Sequence, residues 1–262
     1  MNPLNLITEA YDRQARLYPA LLLAAPVVAT VVAVSAVKLN CVQTLGVSIV
    51  SLGGAFLLTQ LARDAGKKGE KSLFEQWGGL PSVAIFRHRD TRLDPITKSR
   101  YHNKLMSIMK EVKAPTFEQE QMDPVAADAL YLAWSNYLRV NSRNTKKFGM
   151  LFHENVSYGY RRNVWGLRPI GIIVSFLSFA VCAACLYFVH RSTGKFDESL
   201  LGAGAFALLM FLLWVFRFTG DWVRVPADAY AERLAECAET LGAKETSTRI
   251  PAKRTTTKGK EH

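Results

Sequence analysis

Four stretches of this chain contain no Asp, Glu, Lys, Arg or His: YPALLLAAPVVATVVAVSAV (18–37), VQTLGVSIVSLGGAFLLTQL (42–61), IGIIVSFLSFAVCAACLYFV (170–189) and SLLGAGAFALLMFLLWVF (199–216). At about 1.5 Å rise per residue, a helix of roughly 18–20 residues spans the ~30 Å hydrocarbon core of a bilayer. In that core an unpaired backbone group is costly, so an uncharged run of this length predicts a transmembrane helix. Short connectors join the first run to the second and the third to the fourth, which makes two hairpins. With 49% hydrophobic and 21% charged residues, the composition alone would equally suit a globular enzyme; the information lies in the segregation of charge into a central segment and a tail.

The expected fold is an all-α membrane protein with two transmembrane hairpins and a mostly helical cytoplasmic domain inserted between them. Its parts are an N-terminal segment with the first hairpin (1–62), the cytoplasmic domain (63–169), the second hairpin (170–217), an amphipathic helix (218–243) and a disordered basic tail (244–262). From Arg63 to Arg168, 19 Lys and Arg stand against 11 Asp and Glu, whereas the hairpin connectors hold only Lys38, Arg191 and Lys195 as cations. The positive-inside rule then places the central domain and both termini in the cytoplasm, as a multi-pass protein of a bacterial inner membrane. Topology and attraction to anionic lipid account for the net charge of +11 without a nucleic-acid partner. Val34-Ser35-Ala36 spells a tolerable signal-peptidase site, but the length of the first run and the adjoining second run favour its retention.

Inside the expected spans, Gly171, Ser175, Ser178, Cys182 and Cys185 recur at helical spacing, a stripe of small residues that lets helices approach closely. Ser48, Ser51 and Ala55 repeat the pattern more weakly. Such stripes serve packing within one bundle or contacts in a homo-oligomer, and both uses stay open. Cys182 and Cys185 read as small packing residues rather than a redox pair, Cys41 falls at the outer edge and Cys237 in the cytoplasm, so no disulfide scaffold is expected. The most polar long side chains in the runs are Gln43 and Gln60. Proton relays and ion-coupled transport need charge at bilayer depth, which argues against a transporter.

Where the chain re-enters the membrane, Tyr158, Tyr160 and Trp165 with Arg161, Arg162 and Arg168 form the expected interfacial belt. Gly159, Gly166 and Pro169 are expected to break the helix there and make an elbow. Within the central domain, a helix continues from Leu61 to a stop at Gly78-Gly79, and SVAIF (82–86) suits a short strand. Asp94-Pro95 and Asp123-Pro124 carry N-cap and first-turn signatures. The first starts a helix to about Lys113 with Ile96, Leu105, Ile108 or Met109 and Val112 on one face. The second starts a helix to about Asn141 that buries Ala127, Leu130, Tyr131, Trp134, Tyr137 and Leu138. Another amphipathic helix is expected from Pro226 to Leu241, stopped by Gly242.

Arg87, Arg89, Arg92, Lys98 and Arg100, with the Gly78-Gly79 turn, could gather around a phosphate or nucleotide. Alternatively, Asp90 and Asp94 pair with those arginines and cap the helix. His88, His102, Asp90 and Asp94 fit no metal-ligand spacing, and no cofactor is expected. No G-x-S-x-G or P-loop is present, so no catalytic residue is assigned. A lipid-modifying enzyme using His153 and the juxtamembrane arginines would still lack a nucleophile.

The order of elements resembles that of four-pass membrane effectors in bacterial anti-phage systems. The segments GGLPS, FRHRD, TKSRYH and SYGYRRN are similar to those of uncharacterised bacterial inner-membrane proteins. The first resemblance implies a non-enzymatic oligomer in which a cytoplasmic protein or nucleotide signal acts on the bundle and disturbs the bilayer. The alternative is a passive anchor that recruits a cytoplasmic partner enzyme.

Overall fold

The computed structural model describes residues 10–38, 41–110 and 113–241, with side chains described for 11–36, 57–110 and 113–241. A helical turn (Ala10–Asp12) and a π-helical turn (Arg13–Leu17) lead into α1 (Tyr18–Lys38), and α2 follows (Cys41–Gln76). The central domain holds a single turn α3 (Pro81–Ala84), then α4 (Pro95–Ile108), α5 (Phe117–Met122) and α6 (Pro124–Asn141). Next come α7 (Gly149–Thr193), α8 (Glu198–Leu212) with a π-helical end (Leu213–Arg217), and α9 (Gly220–Leu241). The protein is all-α. Arg13–Ala36, Gly149–Thr193 and Glu198–Arg217 are long and apolar enough to cross a membrane. The Ser48, Ser51 and Ala55 stripe, Cys41, Gln43, Val112, Gly242 and the tail 244–262 lie outside the described residues or side chains.

Among the described residues, three apolar cores are strung along α7, which packs against α1, α2, α8 and α9. Cys182 joins Ala33, Leu200 and Ala203 in the core at its apolar end. Val164 and Leu167 join Leu23, Ala62, Met210, Trp214 and Phe218 in the middle. Phe148 and Leu151 reach the domain core, built on Phe86, Leu105, Tyr131, Trp134 and Leu138 with Leu234 and Ala238 of α9. The outward face of α7 carries Ile173, Phe176, Leu177 and Phe188, all exposed, as a lipid-facing surface requires.

Several expectations are corrected. SVAIF is not a strand: Gly78 (φ 76°) and Gly79 (φ 130°) reverse the chain, and Pro81, pre-set for a first helical position, starts one turn instead. Ile85 and Phe86 then drop into the core together, at 0% and 1% exposure, where strand alternation would have separated them. The elbow does not form either. α7 is one helix of 45 residues with Pro169 inside it, so the boundary expected at 169–170 falls within an element, as does that at 62–63. Helix α4 ends at Ile108, and Ile96 is 80% exposed while Leu105 is fully buried. Nine residues are two and a half helical turns, which sets those two on opposite faces. The buried stripe is Lys98, Tyr101, His102 and Leu105. Helix α9 begins at Gly220, six residues before the expected Pro226.

Candidate functional site

The arginine-rich segment folds around its own backbone. Arg87 grips Asp128 of α6 through two bonds, Nε to Oδ1 at 2.7 Å and Nη2 to Oδ2 at 2.6 Å, while Nη1 donates to the Gly78 carbonyl at 2.7 Å. A Cβ on Gly79 would lie 2.6 Å from Arg87 Nη2, so the positive φ and the guanidinium both demand glycine there. Arg92 donates to both Asp90 oxygens and to Asp228 of α9 at 2.5 Å. Burial alone would raise the Asp90 carboxyl, but the hydrogen bonds and charge of Arg92 outweigh it and hold it below the ordinary value. Lys98 spends its ammonium on the carbonyls of Arg87, His88 and Asp90, and burial pulls its pKa down. Arg100 reaches Glu239 at 2.5 Å.

Gly79, Arg87, Arg89 and Arg92 therefore line one small cleft of about 150 Å³, closed by Asp90 and Asp228. Lys98 faces a different cavity beside His88 and His102, and Arg100 a third. Besides the neighbouring Asp90, the carboxylates across these cations, Asp128, Asp228 and Glu239, come from α6 and α9, far away in sequence. Asp94 caps α4 by accepting from Thr97 N at 2.9 Å.

His102 Nε2 meets the Phe86 carbonyl at 2.8 Å and His88 Nε2 the Pro115 carbonyl at 2.9 Å. A carbonyl only accepts, so both rings carry the proton on Nε2 when neutral. Burial pushes the His102 pKa down to about 4. Tyr131 Oη donates to Glu120 at 2.8 Å, and the same carboxylate oxygen accepts from His88 N. Among the described residues no three His, Cys, Asp or Glu side chains are grouped to hold a metal.

The second concentration of polar chemistry lies where α2 crosses α7. A Cβ on Gly166 would sit 2.4 Å from Gly66 N, and one on Gly69 would sit 2.3 Å from the Trp165 ring; the helices touch backbone to backbone. Gly159 admits Ala15 and Tyr11, and Gly171 admits the Trp214 ring. These glycines make room for neighbours within an unbroken helix. Beside the crossing, Glu70 Oε1 accepts from Tyr158 Oη at 2.8 Å and Arg162 Nη1 at 2.9 Å. Asn163, 1% exposed, accepts from Arg162 and donates to the Ala15 carbonyl at 2.7 Å.

The remaining belt residues also bond to protein. Pro226 has no N–H to offer the Trp222 carbonyl one turn back, and Arg161 Nη1 donates to it at 2.9 Å. Arg168 donates to the carbonyls of Trp214 and Val215, at 3.0 and 2.9 Å, in the π-helical end of α8, where helix carbonyls lack intrahelical donors. Tyr160 packs edge-on against Trp222. The small-residue stripe faces inward: Ser175, Ser178 and Cys182 are buried, and Cys182 Sγ lies 3.4 Å from Thr30 Oγ1 of α1. Sequence reasoning missed Glu70, Asn163, Gly66, Gly69, Asp128 and Asp228. Only the two glycines, set in a charged helix, offered a signal. Comparison with protein-family models, curated proteins and solved structures finds no match.

Proposed function

We propose that this chain is a non-enzymatic effector or sensor of a bacterial inner membrane, in which a cytoplasmic signal received by the central domain acts on a four-span bundle and perturbs the bilayer, as in anti-phage defence. The fourth span in this reading is the uncharged first half of α2. The observation that carries it is continuity: α7 runs without interruption from the domain core to the apolar end of the bundle. At about 1.5 Å per residue, its length is roughly 68 Å. A packed helix moves as a unit, so a displacement at Leu151 is felt at Cys182. A passive anchor needs only a flexible tether.

Induced expression in cells loaded with a potential-sensitive dye tests the reading. Depolarisation under a triggering condition is expected, and a membrane that stays polarised under all of them refutes it in favour of an anchor. Self-association is part of the proposal, and the mass of the detergent-solubilised assembly tests that part.

A further inference from the structure

A cavity of about 350 Å³ opens where the bundle meets the domain, between α2, the start of α3, α6, α7 and α9. That volume falls within the range of small-molecule sites. Among the described residues, Lys67, Arg139 and Arg162 contribute cations to its lining and Glu70 the one carboxylate. Tyr158 and Asn155 add polar groups, and Phe74, Leu80 and Leu234 an apolar wall. The formal balance of these four charged groups is +2, in a cleft whose apolar wall and buried floor lower the local dielectric and strengthen it.

The parts differ in mobility. Arg162 is 8% exposed and held by Glu70 and Asn163 through three bonds, which leave one N–H on each terminal nitrogen of the guanidinium. Glu70, already accepting from Tyr158 and Arg162, fixes that fork in place. Lys67 of α2 and Arg139 of α6 are exposed long side chains; among the described residues Arg139 donates one bond, to the neutral Asn136 Oδ1 at 2.9 Å, and has no carboxylate partner. One anchored donor and two cationic arms that form no ion pair among the described residues make a clamp for an added anion. The cleft at Arg87 and Arg92 differs, since carboxylates of the protein already fill those guanidinium forks.

We propose that this cavity binds a phosphate monoester, whose charge of about −1.5 to −2 at neutral pH matches the excess of two cations. Lys67 lies six residues beyond Leu61 and Arg162 eight before Ile170, placing the clamp about 9–12 Å outside the hydrocarbon edge. A lipid phosphomonoester or a soluble one reaches that depth. The inference rests on the proposed function only for its consequence: an occupant bridging α2, α6 and α7 is where a signal would press on the bundle.

The test uses the full chain in phosphatidylcholine nanodiscs. One arm titrates inorganic phosphate at pH 7.5, and the other replaces part of the lipid with phosphatidic acid; both read the unfolding temperature. A saturable rise in either arm is expected, and the arm that responds names the source. Lys67→Gln with Arg139→Gln should weaken the response about tenfold per cation removed, whereas Lys110→Gln, an exposed cation away from both clefts, should leave it unchanged. No saturable rise in either arm, or a double variant equal to the parent, overturns the proposal. Binding without any depolarisation in cells would leave the site standing and sink the effector reading instead.

Discussion

Replacing Gly166 by alanine tests the backbone crossing of α2 and α7. The added Cβ would stand 2.4 Å from Gly66 N and 2.6 Å from Ala65 C and Gly66 Cα. Uncrowded contact begins near ~3.5 Å, so α2 must retreat about 1 Å from α7. None of the three atoms is the tip of a flexible side chain that could turn away. The bonds from Tyr158 and Arg162 to Glu70, 2.8 and 2.9 Å long, lie one turn from the contact. A 1 Å retreat would stretch them to about 4 Å, outside hydrogen-bonding range. Overpacking costs about 1–3 kcal/mol, and loss of a bond to a charged group a further 1.5–3, with imperfect addition. A net loss of about 3 kcal/mol corresponds to a fall of roughly 6–12 °C in Tm for a chain of this size. Tryptophan fluorescence of detergent-solubilised protein during heating reads the effect, since Trp165 and Trp214 both flank the contact zone. Gly202→Ala is the control: nothing lies within 4 Å of the added atom, and alanine is the better helix former. Equal melting of the two variants would refute the crossing as described.

Arg87→Ala should cost about 2 kcal/mol in denaturant midpoints, because it strands the partly exposed Asp128 and the Gly78 carbonyl. Arg89→Ala, on an exposed side chain, should stay within about 0.5 kcal/mol; equal losses would contradict the pairing. Because the folded pKa of His102 is about 4 against an ordinary 6.5, the unfolded chain binds the extra proton between those values. This contribution is complete above pH 6.5 and lost as pH falls towards 4, at up to about 1.4 kcal/mol per pH unit; His102→Gln should flatten that part of the stability profile. Arg161→Ala should cost about 1 kcal/mol or more in the parent, but less in a Pro226→Ala background, where residue 226 supplies an N–H to the Trp222 carbonyl; an unchanged cost would show the bond to be incidental.

The sequence announced those features in which one residue type answers one local demand. Asp94 and Asp123 accept from the third helical N–H of α4 and α6, Gly78 and Gly79 take positive φ, and the burial of Ala127, Tyr131, Trp134 and Leu138 follows from spacing alone. Ile85 and Phe86 read as strand because an apolar run of five residues suits a strand or a buried turn equally, and nothing local shows that both join the domain core. Of the carboxylates that bind Arg87 and Arg92, Asp90 lies two residues from Arg92 and is legible in the sequence, but the other two are not, for a related reason. Asp128 and Asp228 stand 41 and 136 residues from their partners, and only the assembled fold brings them together.

The glycines of α7 carry the more general point. Gly159, Gly166 and Pro169 lower helix propensity by amounts that, in water and alone, would break a helix. Helical stability here is set by what packs on each face, and a missing Cβ is a surface into which a neighbour fits: Tyr11 and Ala15 at Gly159, the α2 backbone at Gly166, the Trp214 ring at Gly171. Each contact returns dispersion and burial that the isolated helix lacks, so residues that read as breaks become attachment points. The arginines follow the same logic. Pro226 and the end of α8 leave carbonyls without intrahelical donors, in a setting where such groups are costly, and Arg161 and Arg168 supply the donors from α7. An interfacial arginine can answer a phosphate or an orphaned carbonyl with the same N–H groups. Which it meets depends on whether a neighbouring helix has lost a donor within reach, and for these two residues a proline and a π-helical turn on other helices decide it.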